Sequence, residues 1–212
     1  MDYFKELNFR IPEQERAKKT LEDIEDTFTK LTISGELQDI TSREFSDKAG
    51  YAQSTLFHHF NKFDDIFSYM FLVKRRRLTL SMVELMNKHP ENAPLSVLVA
   101  SIVKLAIKQC NLPPRKALLF VVSKFLKSTK NPELINIEGD RFIPVWMAVA
   151  NRDQTNTFVK FTESEFRLRI RAFTAVIRSP FFEGSAMAGT SEHAEIAYSL
   201  AMNIFSAPVV VD

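Results

Sequence analysis

The segment from residue 40 to residue 65, ITSREFSDKAGYAQSTLFHHFNKFDD, restricts the fold of this chain more than any other stretch. Thr41 is followed three residues later by Glu44. This capping-box spacing starts a helix, because the two side chains pair with orphan backbone amides. Gly50 then stands where the chain must leave that helix with a positive φ. The segment therefore predicts a short helix that ends in a tight turn.

A second short helix is predicted from Gln53 to Phe60, after a turn formed by Tyr51 and Ala52. Leu56 and Phe60 lie one turn apart on this helix, so both face inward. The other faces carry mostly polar side chains, namely Gln53, Ser54, Thr55, Phe57, His58 and His59. Two helices joined through a glycine-containing turn, the second beginning with small polar side chains, are typical of a helix-turn-helix that enters the major groove of DNA.

This spacing resembles the DNA-binding motif of the tetracycline-repressor (TetR) family, whose usual run is T-x-R-E-I-A-x-x-A-G-V-S-x-G-T-L-Y-x-Y-F-x-x-K-E-x-L. The matching residues are Thr41, Arg43, Glu44, Ala49, Gly50, Thr55, Leu56, His58, Phe60 and Asp65, with Phe45 and Ile66 as conservative matches. The resemblance implies an all-α protein, in which an N-terminal three-helix helix-turn-helix domain precedes a larger helical bundle for ligand binding and dimerisation. It further implies a dimeric repressor that binds a palindromic operator and is released by a small molecule.

Four positions depart from the family's usual run. Tyr51 and Ala52 replace Val-Ser, so the second helix loses its hydroxyl cap. Phe57 lacks the hydroxyl that a tyrosine offers to a phosphate, and Phe63 stands where a lysine is usual, with Lys62 one place early. These departures keep an alternative open, in which a protein of this fold binds DNA weakly or not at all and serves as a ligand-binding or protein-interaction module.

The residues expected to contact DNA are Thr41, Arg43, Gln53, Ser54, Thr55, His58 and Lys62. Gln53 and Thr55 can address base edges or phosphates. We interpret His58 as a DNA contact and His59 as a packed side chain. The chain holds 28 Lys and Arg against 26 Asp and Glu. A strongly basic footprint is therefore missing, which argues against a tight non-specific DNA binder.

The composition of the chain restricts its class further. Only 5 of the 212 residues are glycine, which disfavours an all-β fold, and the single Cys110 excludes an internal disulfide. One cysteine and an acidic start without an apolar stretch predict a cytoplasmic protein rather than a secreted one. No apolar run is long enough to span a membrane. No motif for catalysis, a metal or a cofactor is present, so we expect none of these.

Helical periodicity divides the chain into three predicted parts. An N-terminal arm (1–11) and the helix-turn-helix domain occupy residues 1–65, a connecting helix occupies 66–88, and a helical effector-binding and dimerisation domain occupies 89–212. The polar stretch NKHPENAP, residues 87–94, is interpreted as the linker. The basic run KRRR, residues 74–77, is interpreted as a solvated or domain-bridging face.

The C-terminal part of the chain is rich in aromatic residues. Phe120, Phe142, Trp146 and Phe166 are the candidate ligand contacts. Aromatic side chains at helical spacing most often form an ordinary core, but as a set they can also line a cavity between helices. By the resemblance to the TetR family, we expect a small apolar or aromatic effector in such a cavity.

The last two predicted helices are the candidate dimer interface. Thr162 with Glu165 forms a second capping box, and Ser191 can cap the final helix. The residues predicted to form the interface are Phe166, Ile170, Phe173, Ile177, Ala194, Ala197, Ala201 and Ile204. The resemblance implies a four-helix interface built from two such helices per subunit. The alternative is that these stripes form the core within one chain.

Overall fold

The computed structural model describes residues 13–112, 114–128 and 137–206, and all the regular structure in these ranges is helical. The α-helices are α1 (Glu15–Ser34), α2 (Ser42–Ala49), α3 (Gln53–His59), α4 (Asp64–Asn87), α5 (Leu95–Cys110), α6 (Arg115–Ser128), α7 (Phe142–Arg152), α8 (Glu163–Glu183) and α9 (Ser191–Ser206). Short 3₁₀ turns occupy Glu36–Gln38 and Ile137–Arg141. The predicted all-α fold is confirmed. The predicted N-terminal arm lies outside the described residues.

The chain divides into two compact units. The first unit contains the described residues up to Lys74 together with α6, and the second contains Arg75–Leu112 and the described residues from Ile137 onward. This division differs from the predicted one, because the polar turn at residues 87–94 separates α4 from α5 inside the second unit. Turn residues mark where a helix ends, but they do not show which core the next helix joins.

The first unit is organised around phenylalanine rings. Phe28, Phe45 and Phe67 are almost fully buried. The ring of Phe67 meets Phe28 edge-on, with centroids 5.5 Å apart, and meets Phe120 of α6 in the same way at 5.4 Å. Edge-to-face contacts of this kind suit the charge distribution of aromatic rings. Helix α6 therefore belongs to the same core as the predicted helix-turn-helix.

Two tyrosines connect α1 to the rest of the first unit. Tyr69 of α4 donates a 2.6 Å hydrogen bond to the buried carboxylate of Glu25. Tyr51, in the turn between α2 and α3, donates a 2.7 Å bond to Asp23. A hydrogen bond from Lys19 and this one from Tyr51 together lower the pKa of Asp23. The tyrosine that departs from the family's usual valine thus fixes the turn against α1.

The second unit is a bundle whose helix ends are tied by single side chains. One nitrogen of Arg152, at the end of α7, donates to the carbonyls of Met86, Asn87 and His89 at distances of 3.0, 2.9 and 3.0 Å. A cation at this position satisfies orphan carbonyls and complements the negative end of the helix dipole. This contact holds the end of α4 to α7.

The caps of the last two helices differ in part from those predicted. Thr162 accepts a 3.2 Å bond from the amide of Glu165, but the Glu165 carboxylate pairs with Arg169 at 2.9 Å instead of turning back to the cap. The first turn of α9 is capped by Thr190, which accepts a 3.3 Å bond from the amide of His193. Ser191 is instead the first helical residue. Arg169, one turn away, thus binds the Glu165 carboxylate in place of the cap, and the cap of α9 lies one residue before the predicted position.

Candidate functional site

The first short helix of the motif has the predicted geometry. Thr41 accepts a 3.2 Å bond from the amide of Glu44, and the Glu44 carboxylate accepts a 2.9 Å bond from the amide of Thr41. This backbone bond, aided by the Thr41 hydroxyl, lowers the pKa of Glu44. Gly50 ends the helix at φ 78°, in the left-handed region that glycine adopts without strain. The predicted capping box and glycine turn are both confirmed.

The second short helix, α3, ends one residue earlier than predicted. Leu56 and Phe60 are buried as expected, but Phe60 itself already has extended backbone. Ala52 precedes the helix and makes no side-chain cap, as the missing hydroxyl predicted. Of the two histidines, His58 is exposed and His59 is only 6% exposed. Burial, aided by the charge of His58, lowers the pKa of His59 and favours its neutral form.

The residues predicted to contact DNA all lie in the first unit and at least partly on its surface. The exposed ones are Thr41, Arg43, Gln53, Ser54, His58 and Lys62, while Thr55 is half-buried. The structure joins the first turns of the two helices directly, because Gln53 Nε2 donates a 2.6 Å bond to Ser42 Oγ. The first turns of α2 and α3 therefore present their polar side chains together.

Two phenylalanines of the motif take different positions. Phe63, where the family usually has lysine, packs against Phe45 and Phe67 with ring centroids 5.6 Å away in both cases. Phe57 on α3 is 41% exposed, beside the polar side chains of that helix. Sequence reasoning noted both as departures, but it did not show that one ring packs against other aromatic rings and the other is exposed.

A cavity of about 110 Å³ lies within the second unit. It is lined by Arg75, Leu78, Thr79, Met82 and Met86 of α4, Leu98, Val99, Ile102, Ala106 and Cys110 of α5, Gly139, Phe142, Trp146, Phe166, Ile170, Phe173, Thr174, Ile177, Arg178 and Phe205. On this scale a single water molecule needs roughly 10–15 Å³. The cavity therefore has room for a small organic molecule.

The predicted ligand contacts are divided between the two units. Phe142, Trp146 and Phe166 line the cavity, and the indole of Trp146 lies 5.0 Å from the ring of Phe166. Phe120 instead belongs to α6 and packs on Phe67 in the first unit. We therefore withdraw Phe120 as a ligand contact. It was selected for the aromatic richness of the C-terminal part of the chain, which could not indicate which core the ring joins.

Two arginines that sequence reasoning did not select also line the cavity. Arg75 comes from the basic run interpreted as a solvated or bridging face, and Arg178 lies near the end of α8. Burial, with a contribution from the charge of Arg178, lowers the pKa of Arg75 to about 10. Burial also lowers the pKa of Arg178 and raises that of Cys110. Both guanidinium groups remain protonated at neutral pH.

The predicted dimer contacts need correction. Within a single chain the buried ones are Phe166, Phe173, Ile177, Ala197 and Ala201, so these cannot form a subunit surface. Ile170 lines the cavity, and Ala194 and Ile204 are half-buried. The outward faces of the same two helices carry Leu168, Ala172 and Ala175 on α8 and Ile196 and Leu200 on α9. The helical spacing of these apolar residues was predicted correctly, but the residues on the buried faces of α8 and α9 pack in the core of the same chain.

Among the described residues, no helix combines the length and the apolar character that a bilayer crossing requires. No group of three or more His, Cys, Asp or Glu side chains in the same ranges could hold a metal ion.

Comparisons with known proteins identify the fold. No protein-family model matches the chain, and no curated protein gives a significant sequence match. A structure from Mesorhizobium loti, assigned to the TetR family of transcriptional regulators, is 11% identical with a TM-score of 0.68, covering 92% of this chain and 100% of that one.

Two other solved structures give similar results. A TetR-family transcription regulator from Marinobacter aquaeolei is 12% identical, with a TM-score of 0.56 over 92% of this chain and 99% of its own. A transcriptional regulator from Rhodococcus is 18% identical, with a TM-score of 0.53 over 87% and 94%. At these identities the likeness concerns the fold, and it extends over both units. The chain therefore has the fold of the TetR-family transcriptional regulators.

Proposed function

We propose that this protein is a DNA-binding transcriptional regulator that uses α3 as its recognition helix. The observation that carries the proposal is the helix-turn-helix of the first unit, closed by the Thr41 capping box and by Gly50 at positive φ. Its second helix exposes Gln53, Ser54 and His58. Side chains of these types make base and phosphate contacts when such a helix lies in the major groove.

We propose further that the protein binds a palindromic operator as a homodimer. The outward faces of α8 and α9 each carry exposed apolar residues at helical spacing, including Leu168 (65% exposed) and Leu200 (43%). A second copy of the chain related by a two-fold axis buries such faces and provides two recognition helices. The cavity of the second unit is the proposed effector site, and its occupation releases the operator. The proposed action is that of a repressor.

Selection of bound sequences from random duplex DNA tests the DNA-binding proposal. We expect a palindrome to be recovered. Replacing Gln53 or Arg43 with Ala should weaken binding to it by roughly 1–3 kcal/mol where a base contact is lost. Gln109→Ala and Lys108→Ala on α5 remove exposed side chains of the same kinds in the second unit and should leave affinity unchanged. Recovery of no sequence, or wild-type affinity of both motif variants, would contradict the proposal.

Sedimentation of two adjacent arginine variants tests the dimer. Leu200→Arg adds a charge to an exposed position and should give a folded monomer with weakened operator binding. Ala201→Arg adds the same charge to a position that is 0% exposed, and should unfold the bundle because an unpaired buried charge is costly. A folded dimer of Leu200→Arg would remove the outward face from the interface.

The second candidate is a ligand-binding or protein-interaction module of the same fold without tight DNA binding. Two observations favour it. Ala52 leaves the start of α3 without a side-chain cap, and the exposed Phe57 places an apolar ring among the polar side chains of that helix. Failure of the DNA selection, together with ligand binding in the cavity, would select this candidate.

A further inference from the structure

The two cavity arginines lack a carboxylate partner among the described residues. Arg75 Nε is buried and makes no hydrogen bond there. The guanidinium of Arg178 lies 4.8 Å from the ring centroid of Phe182, a contact that does not neutralise its charge. In the described part of the second unit, the buried carboxylate is that of Glu138, which is already paired with Arg141 at 3.0 Å. Both arginines are half-buried. Even partial burial of an unpaired cation destabilises a protein, so their retention suggests a partner from outside the chain.

The arginines lie at one end of the cavity. About 18 Å of helix separates Arg178 from Phe166 on α8, because an α-helix rises about 1.5 Å per residue. Arg75 likewise precedes Met86, another lining residue, by about 16 Å on α4. Cys110, the last residue of α5, lines the cavity together with both arginines, and the guanidinium of Arg178 contributes to the lowered pKa of Arg75. The cavity is thus elongated, with a cationic end.

The other end of the cavity is aromatic. The ring of Trp146 lies 5.0 Å from Phe166 and 5.1 Å from Phe205, and Phe205 lies 5.7 Å from Phe173. The indole N–H of Trp146 is already bound to the carbonyl of Val159 at 3.1 Å. The aromatic end therefore offers ring surface rather than hydrogen-bond donors.

Few other polar groups line this cavity. The hydroxyl of Thr174 already donates to the carbonyl of Ile170 at 2.8 Å. Thr79 is buried on α4, and burial disfavours the thiolate of Cys110. The strongest donors available to a bound molecule are therefore the two guanidinium groups. Paired with an acidic head group, they form charge-assisted bonds that are stronger than neutral ones.

We propose that the cavity binds an anionic amphiphile, with its acidic head between Arg75 and Arg178 and its hydrophobic tail among Trp146, Phe166 and Phe205. This proposal rests on the proposed effector site and replaces the apolar effector expected from sequence. A carboxylate and a phosphate monoester share the required chemistry. The small volume favours a single short tail over a large lipid.

The fluorescence of Trp146 provides a direct assay, because this is the single tryptophan of the chain and it lines the cavity. The probes are 4-phenylbutyrate, the neutral 4-phenylbutanamide of matching shape, and phenethyl phosphate. We expect the wild-type protein to bind at least one of the two anions about tenfold or more tightly than the amide. Tighter binding of the butyrate identifies a carboxylate site, and tighter binding of the phosphate identifies a phosphate site.

Variants then assign the preference to the arginines. Arg75→Met and Arg178→Met keep a long unbranched side chain but remove the charge. Each should lower affinity for the anion about tenfold or more and leave amide affinity within about threefold. Phe173→Ala should instead weaken both probes. Arg75→Lys keeps the charge without the planar fork and should bind the anion with intermediate affinity.

Thermal unfolding without ligand separates this role from a structural one. The methionine variants should melt at or above the wild-type temperature, because an unpaired, partly buried cation has been removed, and the anion should raise Tm less for either variant than for the wild type. The proposal would be overturned if the wild-type protein bound the anion and the amide equally, or bound neither. It would also be overturned if the preference for the anion survived in both methionine variants, or if their Tm clearly fell. None of these measurements involves DNA, so a failed operator selection would refute the proposed function without affecting this result.

Discussion

The two units of this protein use their phenylalanines in opposite ways. In the first unit Phe28, Phe63 and Phe67 meet edge to face and form a core around the helix-turn-helix. In the second unit Phe166, Phe173 and the neighbouring Trp146 surround a cavity. Similar residues thus give rigid support in one region and an internal space in the other. Both units are rich in aromatic residues. Whether the rings form a packed core or surround a cavity therefore depends on the arrangement of the helices that carry them.

Buried rings should therefore respond differently to truncation in the two units, and this is the largest effect we expect. Phe60→Ala should lower the free energy of unfolding by about 3–5 kcal/mol, because Phe60 is nearly fully enclosed and packs on Tyr69. Phe173→Ala should cost closer to about 2 kcal/mol, because Phe173 already faces empty space on one side. Urea denaturation followed by circular dichroism measures both. Equal losses would show that the cavity wall packs as tightly as the first core.

Replacing one glycine in each unit should change stability by an intermediate amount. Gly50 has φ 78° with no atom near an added Cβ, so Gly50→Ala should cost about 1–2 kcal/mol from backbone strain alone. Gly139→Ala needs no positive φ, and its Cβ would lie 3.3 Å from Cγ2 of Ile170, which can shift because it borders the cavity. The change at Gly139 should stay within about 0.5 kcal/mol.

The same urea titration measures both glycine variants, and Gly50→Asn is the control. Asparagine tolerates the left-handed region better than alanine, so it should recover part of the lost stability. A neutral Gly50→Ala variant would contradict the importance of this turn.

Helix caps give the smallest expected difference. Thr41→Ala removes a hydroxyl that both accepts from the Glu44 amide and donates to the Glu44 carboxylate, and should cost about 1–2 kcal/mol. Thr162→Ala removes a hydroxyl that only accepts from an amide, and should cost about 0.5–1 kcal/mol. Thermal melts of the two variants side by side provide the measurement. If Thr162→Ala proves the more costly, the additional hydroxyl bond to the Glu44 carboxylate contributes little to stability.

The features that the sequence predicted correctly are those set by neighbouring residues. The Thr41 box, the Gly50 turn and the inward Leu56 depend on side chains and backbone a few positions apart, and all are present. The errors concern choices that depend on distant parts of the chain. Phe120 joined the first core, and Ala201 became fully buried inside one chain rather than at a subunit surface.

The cavity arginines show the same limit most clearly. A run of four basic residues usually lies on a solvated face, and nothing near Arg75 in sequence indicates otherwise. It lines the same cavity as Cys110 and Arg178, which come from two other helices. A periodic pattern shows which face of a helix is apolar, but it does not show which polar group closes the end of a cavity.

The hydrogen bond from Gln53 to Ser42 has a consequence for the proposed recognition of DNA. Fixing a free surface side chain on a partner costs about 0.5–1.5 kcal/mol of rotamer entropy. Gln53 has given up part of that freedom already, because its amide nitrogen is held at 2.6 Å from Ser42 Oγ. Its amide oxygen is then offered in one orientation before DNA arrives. A base that fits this orientation binds a side chain whose rotamer entropy is already partly lost. A base that does not fit requires the intrachain hydrogen bond to break first.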